Sequence, residues 1–310
     1  TFLLDGTLKR FGLCGRSLVP MLSGFACAVP AIMATRTIGN RKERLITILV
    51  TPFLTCSARL PIYGLIVGAL FSSYEPLFGV LNVGALMFMA MYALGIVASL
   101  VAAYFLGKVL KSDDQQSLAI ELPPFRLPSL RANGKKVADR IYLFIRDVGS
   151  VIFASTILIW ALFHFEPYSH KASEDVAIEK PRDLEHTYAG HIGKMMEPLV
   201  KPMGLDWQAS VGILASFLAR EVFVSTMAVV YGLADDQPVR LMNAFKERIS
   251  PLSGLCLLIF FTLSMQCIST LAVTRRETGS MVWTLLQFSL MTGSAYVLSV
   301  ATYFIGSLVS

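Results

Sequence analysis

Seven stretches of the chain run almost without charge: residues 17–35, 45–71, 76–107, 148–165, 207–234, 249–274 and 278–310. Lys, Arg, Asp and Glu crowd into the segments between them. Runs of roughly 20 apolar residues suffice to cross a hydrocarbon layer about 30 Å thick as helix. The pattern therefore predicts an all-α, polytopic transmembrane bundle. Two of the runs carry charges inside them, Arg59 in the second and the pair Arg220 and Glu221 in the fifth.

Helix breakers sit where a spanning helix should be regular. The first run, Ser17 to Thr35, contains Pro20, Gly24 and Pro30 around Cys27, and the second places Cys56 between Pro52 and Pro61. Irregular backbone at membrane depth is tolerated only where protein buries it or a wet cavity solvates it. Pro30 removes an amide donor and frees a carbonyl upstream, and Gly24 permits close approach. The expected break around Cys27 sets backbone oxygens beside a thiol, which outlines a cation site.

Loop charges orient the runs, because short cytoplasmic connections retain Lys and Arg. The connection holding Arg36, Arg41, Lys42 and Arg44 is assigned to the cytoplasm, and Ser72 to Glu75, without a base, to the outside. The segment from Lys108 to Arg146 returns to the cytoplasm. It contains the Pro-rich connector "ELPPFRLP" and the basic amphipathic stretch "KKVADRIYLFIRDV", expected along the interface. The stretch Glu166 to Asp206 is richer in acids and reads as an outer loop. If 207–234 crossed once, the next run would deliver Arg275 and Arg276 to the outside, against the charge rule; a re-entrant excursion removes the conflict. Ser17 to Thr35, flanked by bases on both sides, calls for the same. One excursion from each face is the pattern of two inverted repeats whose broken helices meet near the midplane.

Composition agrees with the pattern: 55% hydrophobic and 15% charged residues in 310, at a mean hydropathy of +0.62, cannot cover a soluble domain. The net charge of +6 lies in the loops, so it reads as topology and implies no nucleic-acid partner. No cleavable signal peptide is visible, and a chain opening on Thr1 is expected to begin inside a longer protein. Neither GxxxxGK[ST], GxSxG nor HExxH occurs, so nothing here cradles a nucleotide phosphate or points to hydrolytic chemistry.

The candidate metal ligands are Cys27, Cys56, Cys267 and Glu221. Soft thiolate and thioether ligands select transition metals, and the binding thiol must lose its proton. Taken singly each cysteine is as readily a small buried hydrophobe; two of three lying between helix breakers shift the balance, whereas Cys14 and Cys256 lack such breakers and read as packing. Arg59 reads as a structural lock that caps broken-helix carbonyls, because a guanidinium in a cation path would repel its cargo. Two readings stand for Glu221: metal ligand or proton acceptor, and counter-ion of Arg220. The Met-rich "LMFMAMY" reads as packing, and His164, His170, His186 and His191 as solvated positions of the outer loop.

These residues carry a family resemblance. "GRSLVPMLSGFACAVPAIMATRTIGNRKERLITILVTPFLTCSARLPIYGLIVGALF" resembles the first gate region of the ferrous iron transport protein B (FeoB) family, "LASFLAREVFVSTMAVVYG" its second gate region and "SMQCISTLAVTRRETGS" its third cysteine segment. The resemblance implies a permease for Fe(II) in the bacterial inner membrane, with the family's membrane cysteines on Cys27, Cys56 and Cys267. It also implies an N-terminal GTPase domain outside this chain, with GTP and Mg bound there only, small cytoplasmic Feo accessory proteins as partners, contact with membrane lipid, and a homo-oligomer. The permease itself is then no enzyme. Three positions depart from the family's usual pattern: Ala28 stands where Asn is common, Gln266 where Pro is frequent and Ala26 where Gly is common. The expected division is 1–110, first gate repeat and core helices; 111–146, cytoplasmic connector and amphipathic segment; 147–310, second gate repeat and C-terminal helices. Two other readings compete. A gate-domain transporter of nucleosides or similar solutes should show aromatic and amide groups at the breaks, and a non-transporting scaffold leaves the breaks without a task.

Overall fold

The computed structural model describes residues 6, 8, 10–71, 83–110, 129–165, 187–232, 238–265 and 267–309, and these form an all-α bundle. Short helices come first: α1 (Leu18–Gly24), α2 (Ala28–Ala34), α3 (Arg41–Val50) and α4 (Leu60–Leu70). Two long ones follow, α5 (Val83–Val109) and α6 (Leu130–His164). Then come α7 (Tyr188–Val200), α8 (Trp207–Leu218), α9 (Val222–Val230), α10 (Pro238–Arg248), α11 (Pro251–Leu263), α12 (Ile268–Thr278) and α13 (Met281–Val309). At about 1.5 Å per residue, the 27 residues of α5 and the 29 of α13 exceed a hydrocarbon layer of about 30 Å. Segments Arg41–Leu70 and Pro251–Thr278 are also long and apolar enough to cross, but each is built from two helices joined by a break.

Local chemistry sets several starts. The Asn40 side chain accepts from the amides of Lys42 and Glu43 at 2.9 and 3.3 Å and opens α3. Asp206 accepts from the amide of Ala209 at 2.9 Å to open α8, and Ser250 from Ser253 at 3.1 Å to open α11, with Pro251 in its first turn.

The core lies where the short helices meet: Ile62, Tyr63 and Ile66 of α4 pack with Phe223 and Met227 of α9 and with Leu257, Leu258 and Phe261 of α11. Around it, α5, α6 and α13 turn large apolar side chains outward, including Phe105, Phe153, Trp160 and Phe304. Such a surface is unsuited to water and suited to lipid. Helices α1 and α2 pack against each other although only three residues separate them, and so do α8 and α9; by contrast the halves of the two broken spans, α3–α4 and α11–α12, touch little.

Two expectations need correction. The stretch from Glu166 to Asp206 is not all loop, because α7 forms within it and packs on α8; Thr187 caps it, its hydroxyl accepting from the amide of Gly190 at 3.3 Å. His191 therefore sits on a helix, and His164 ends α6, stacked on Trp160 at 4.7 Å between centroids. The amphipathic stretch is no separate element: it is continuous with the following apolar run in the 35-residue α6, and the expected boundary at residue 146 falls inside that helix. The connector "ELPPFRLP", the loop Ser72 to Glu75, and His170 and His186 lie outside the described residues.

Candidate functional site

Each of the three singled-out cysteines occupies the residue just before a helix restarts. Cys27 precedes α2 with an extended backbone (φ −156°), Cys267 precedes α12 (φ −161°), and Cys56 precedes a single 3-10 turn, Ser57–Arg59, that leads into α4. The first break spans Phe25 to Cys27, and Pro30 lies just beyond it, in the first turn of α2. Pro30 cannot donate to the carbonyl of Ala26, four residues upstream. That oxygen instead accepts from the hydroxyl of Ser57 at 2.9 Å and from its amide at 3.4 Å. One freed carbonyl thus ties the Cys27 break to the Cys56 break. Gly24 allows the approach, since a β-carbon there would stand 3.1 Å from Cγ2 of Thr51.

The second break is repaired by the same logic. Pro52 frees the carbonyl of Ile48, and Gln287 of α13, buried to 1% exposure, donates its Nε2 to that oxygen at 3.0 Å and to the carbonyl of Leu49 at 3.3 Å. Ser99 of α5 donates to the carbonyl of Val50 at 3.3 Å.

The break at Ser264 and Met265 is held by two guanidiniums. Arg59, fully buried, donates Nη1 to the carbonyl of Thr262 at 2.6 Å and Nη2 to that of Ser264 at 3.0 Å. Arg220, 2% exposed, donates to the carbonyls of Phe261 and Ser264, both at 3.1 Å, to the Ser264 hydroxyl at 2.9 Å and to the carbonyl of Met265. The last carbonyls of a helix carry its negative pole and lack intrahelical donors, so a forked cation is the fitting cap. Arg59 is the lock that its position implies. The partners of Arg220 named here are the end of α11, and Glu221 next to it is exposed.

The breaks converge. Cys27 lies within electrostatic reach of Cys267, Cys56 and Glu221, and Arg220 within reach of Arg59, Cys56 and Cys267. Cys27 also packs at the margin of the cluster Val29, Ile32, Met33, Ile48 and Val273, which joins α2 and α3 to α12. Ala26, Ser57 and Glu221 are exposed, Cys27 and Cys267 half-buried, and Cys56 buried. Among the described residues no three His, Cys, Asp or Glu side chains approach closely enough to hold a metal ion together. The arrangement places three thiols at joined breaks. Cys14 and Cys256 are buried at 1% and 0%, as packing residues should be.

Sequence reasoning missed Ser57, Ser264 and Gln287. Gln287 left one signal, a lone side-chain amide in an apolar run; the two serines left none. It also missed Glu277, 2% exposed, which receives Arg36 at 2.5–3.1 Å and Arg44 at 2.8 Å.

Long apolar helices around joined helix breaks define a polytopic membrane protein of the gate class. The gate family described as "Nucleoside recognition" matches residues 1–70 and 145–281, and "Ferrous iron transport protein B C terminus" matches residues 88–140. Over 99% of this chain, an "Fe(2+) transporter FeoB" of Leptospira biflexa is 39% identical, one of Methanocaldococcus jannaschii 36% and one of Staphylococcus aureus 35%. The chain belongs to the FeoB family. It spans less than half of these relatives, 45%, 44% and 43% of their lengths. No solved structure matches it. The matched region carries four segments long and apolar enough to cross a membrane, as a multi-pass membrane protein does.

Proposed function

We propose that this chain forms the path by which Fe(II) crosses the membrane in an importer of which it is the permease portion. The observation that supports this most is the shared position of Cys27, Cys56 and Cys267, each at the resumption of a helix, at breaks that lie together. An ion leaving water needs replacement ligands, and thiols beside exposed backbone favour a soft transition metal over alkali or alkaline-earth ions. Conduction also needs sites that bind weakly enough to release, and thiols that form no closed cage among the described residues meet that need. Glu221, exposed and within electrostatic reach of Cys27, serves as a carboxylate ligand or as acceptor of the proton that a binding thiol gives up.

The two halves are inverted repeats. Each has one packed pair, α1–α2 or α8–α9, too short to cross and turning back within the bilayer, and one broken span, α3–α4 or α11–α12. Coupling to GTP belongs to the GTPase domain that the resemblance implies, with Mg bound there. Small cytoplasmic Feo proteins and a homo-oligomer complete the proposed partners.

The test is Fe(II) uptake by the full-length parent in proteoliposomes. Replacing all three cysteines with Ser is expected to lower the rate by about tenfold or more, the factor that about 1.4 kcal/mol produces. Wild-type rates would remove the ligand assignment. The name of the matched gate family keeps a nucleoside transporter as the second reading, and competition by Fe(II), Mn(II), Zn(II) and a nucleoside in one assay separates the two.

A further inference from the structure

At the arginine-rich end of the bundle a cavity of about 400 Å³ opens between the two halves. Arg41 and Arg44 of α3 stand on one side, Glu277 and Trp283 on the other, and Leu45 and Ile48 supply apolar wall. Glu277 is already engaged by Arg36 and Arg44, and Arg276 approaches it at 4.0 Å, so three guanidiniums gather around one carboxylate. The buried Nε of Arg44 has no hydrogen-bond partner. Arg41 is exposed and, among the described residues, meets no carboxylate.

We infer that this cavity is a binding site for the headgroup of an anionic phospholipid. A phosphate diester offers acceptor oxygens to guanidinium forks, which bind phosphate in planar, paired fashion. Free phosphate shares that chemistry, but it has no use for the wall of Leu45, Ile48 and the Trp283 ring, whereas a lipid brings its glycerol and first methylenes with it. Trp is also the side chain that suits headgroup depth. The connection carrying Arg36, Arg41 and Arg44 is the one assigned to the cytoplasmic face, where anionic lipid is met by basic pockets between helices. The site concerns lipid alone and stands apart from the assignment of the transported ion.

Native mass spectrometry of the full-length protein released from nanodiscs of mixed phosphatidylglycerol and phosphatidylcholine tests it. The wild type is expected to retain one phosphatidylglycerol per chain at this site in preference to phosphatidylcholine. Arg41→Gln is expected to lower that retention about fivefold, the share of one basic residue at an anionic surface. Arg41→Lys should restore most of it, and Lys108→Gln, a basic residue at the end of α5, should leave it unchanged. Excess inorganic phosphate should not displace the lipid. Equal retention by Arg41→Gln, no preference between the two lipids, or displacement by inorganic phosphate would each overturn the assignment.

Discussion

Arg59 shows how one charged residue can be cheaper inside the bundle than it looks in the sequence. Its cost in hydrocarbon is partly offset because its two Nη groups meet carbonyls of Thr262 and Ser264 that the end of α11 leaves without donors, although its Nε has no partner among the described residues. Arg59→Ala strips the carbonyl of Thr262 of this cap, while that of Ser264 keeps Arg220. A loss of about 1–3 kcal/mol is expected from the bare acceptor, before any cavity is counted. Thermal melting of the purified protein in detergent should show it, and Arg59→Lys should recover only part, since an ammonium cannot span both oxygens. An unchanged melting temperature for Arg59→Ala would contradict the capping role. The lock was legible because an isolated charge in an apolar run must be satisfied somewhere. The partners of Arg220 were not: sequence proximity offers Glu221, while the carbonyls that Arg220 caps come more than 40 residues later.

At the scale of elements, proline announces a break but does not say what repairs it. Pro52 and Pro30 were visible, and the oxygens they free are those of Ile48 and Ala26. The donors, Gln287 and Ser57, come from other parts of the chain. If Gln287 exists to replace the donor that Pro52 removed, the two positions must be coupled. Gln287→Leu alone should destabilise by about 1–3 kcal/mol. In a Pro52→Ala background it should cost less, because the restored amide can reach the carbonyl of Ile48. Denaturant midpoints of the two single variants and the double one measure this; strictly additive losses would sink the argument. The break before Cys267 gave no such warning. Neither Gly nor Pro stands between Leu263 and Cys267, and α11 ends where Arg59 and Arg220 claim its carbonyls, a tertiary cause without a local signature. Helix α7 escaped notice because Lys194 and Glu197 dilute a short apolar face to the composition of a loop.

At the scale of the molecule, the question is what holds the two halves together once their breaks have weakened the helices. Besides the shared core and the bonds from Gln287, the ties that cross between them include Arg59, which reaches from the first half to α11, the packing of α2 on α12, and Glu277 of α12, which gathers Arg36 and Arg44. The last sits at the end of the bundle, where water could compete with it. Arg36 and Arg44 are 47% and 31% exposed, so screening leaves each pair little by itself. The Glu277 side chain is 2% exposed, however, and it is the shared member. Glu277→Gln removes the anion from among three guanidiniums, those of Arg36, Arg44 and Arg276, and leaves them facing one another. A loss of about 1–2 kcal/mol is expected, discounted for the exposed arginines. Truncating Arg36 alone, the more exposed partner, should cost less than about 1 kcal/mol. The ordering discriminates: a surface ion pair would give small, similar losses from either side, both vanishing in high salt, whereas a buried hub gives the larger loss on the carboxylate side and keeps most of it when salt is raised. Melting temperatures of both variants at low and high ionic strength decide between these outcomes, and equal, salt-erased losses would leave the junction to Arg59 and helix packing.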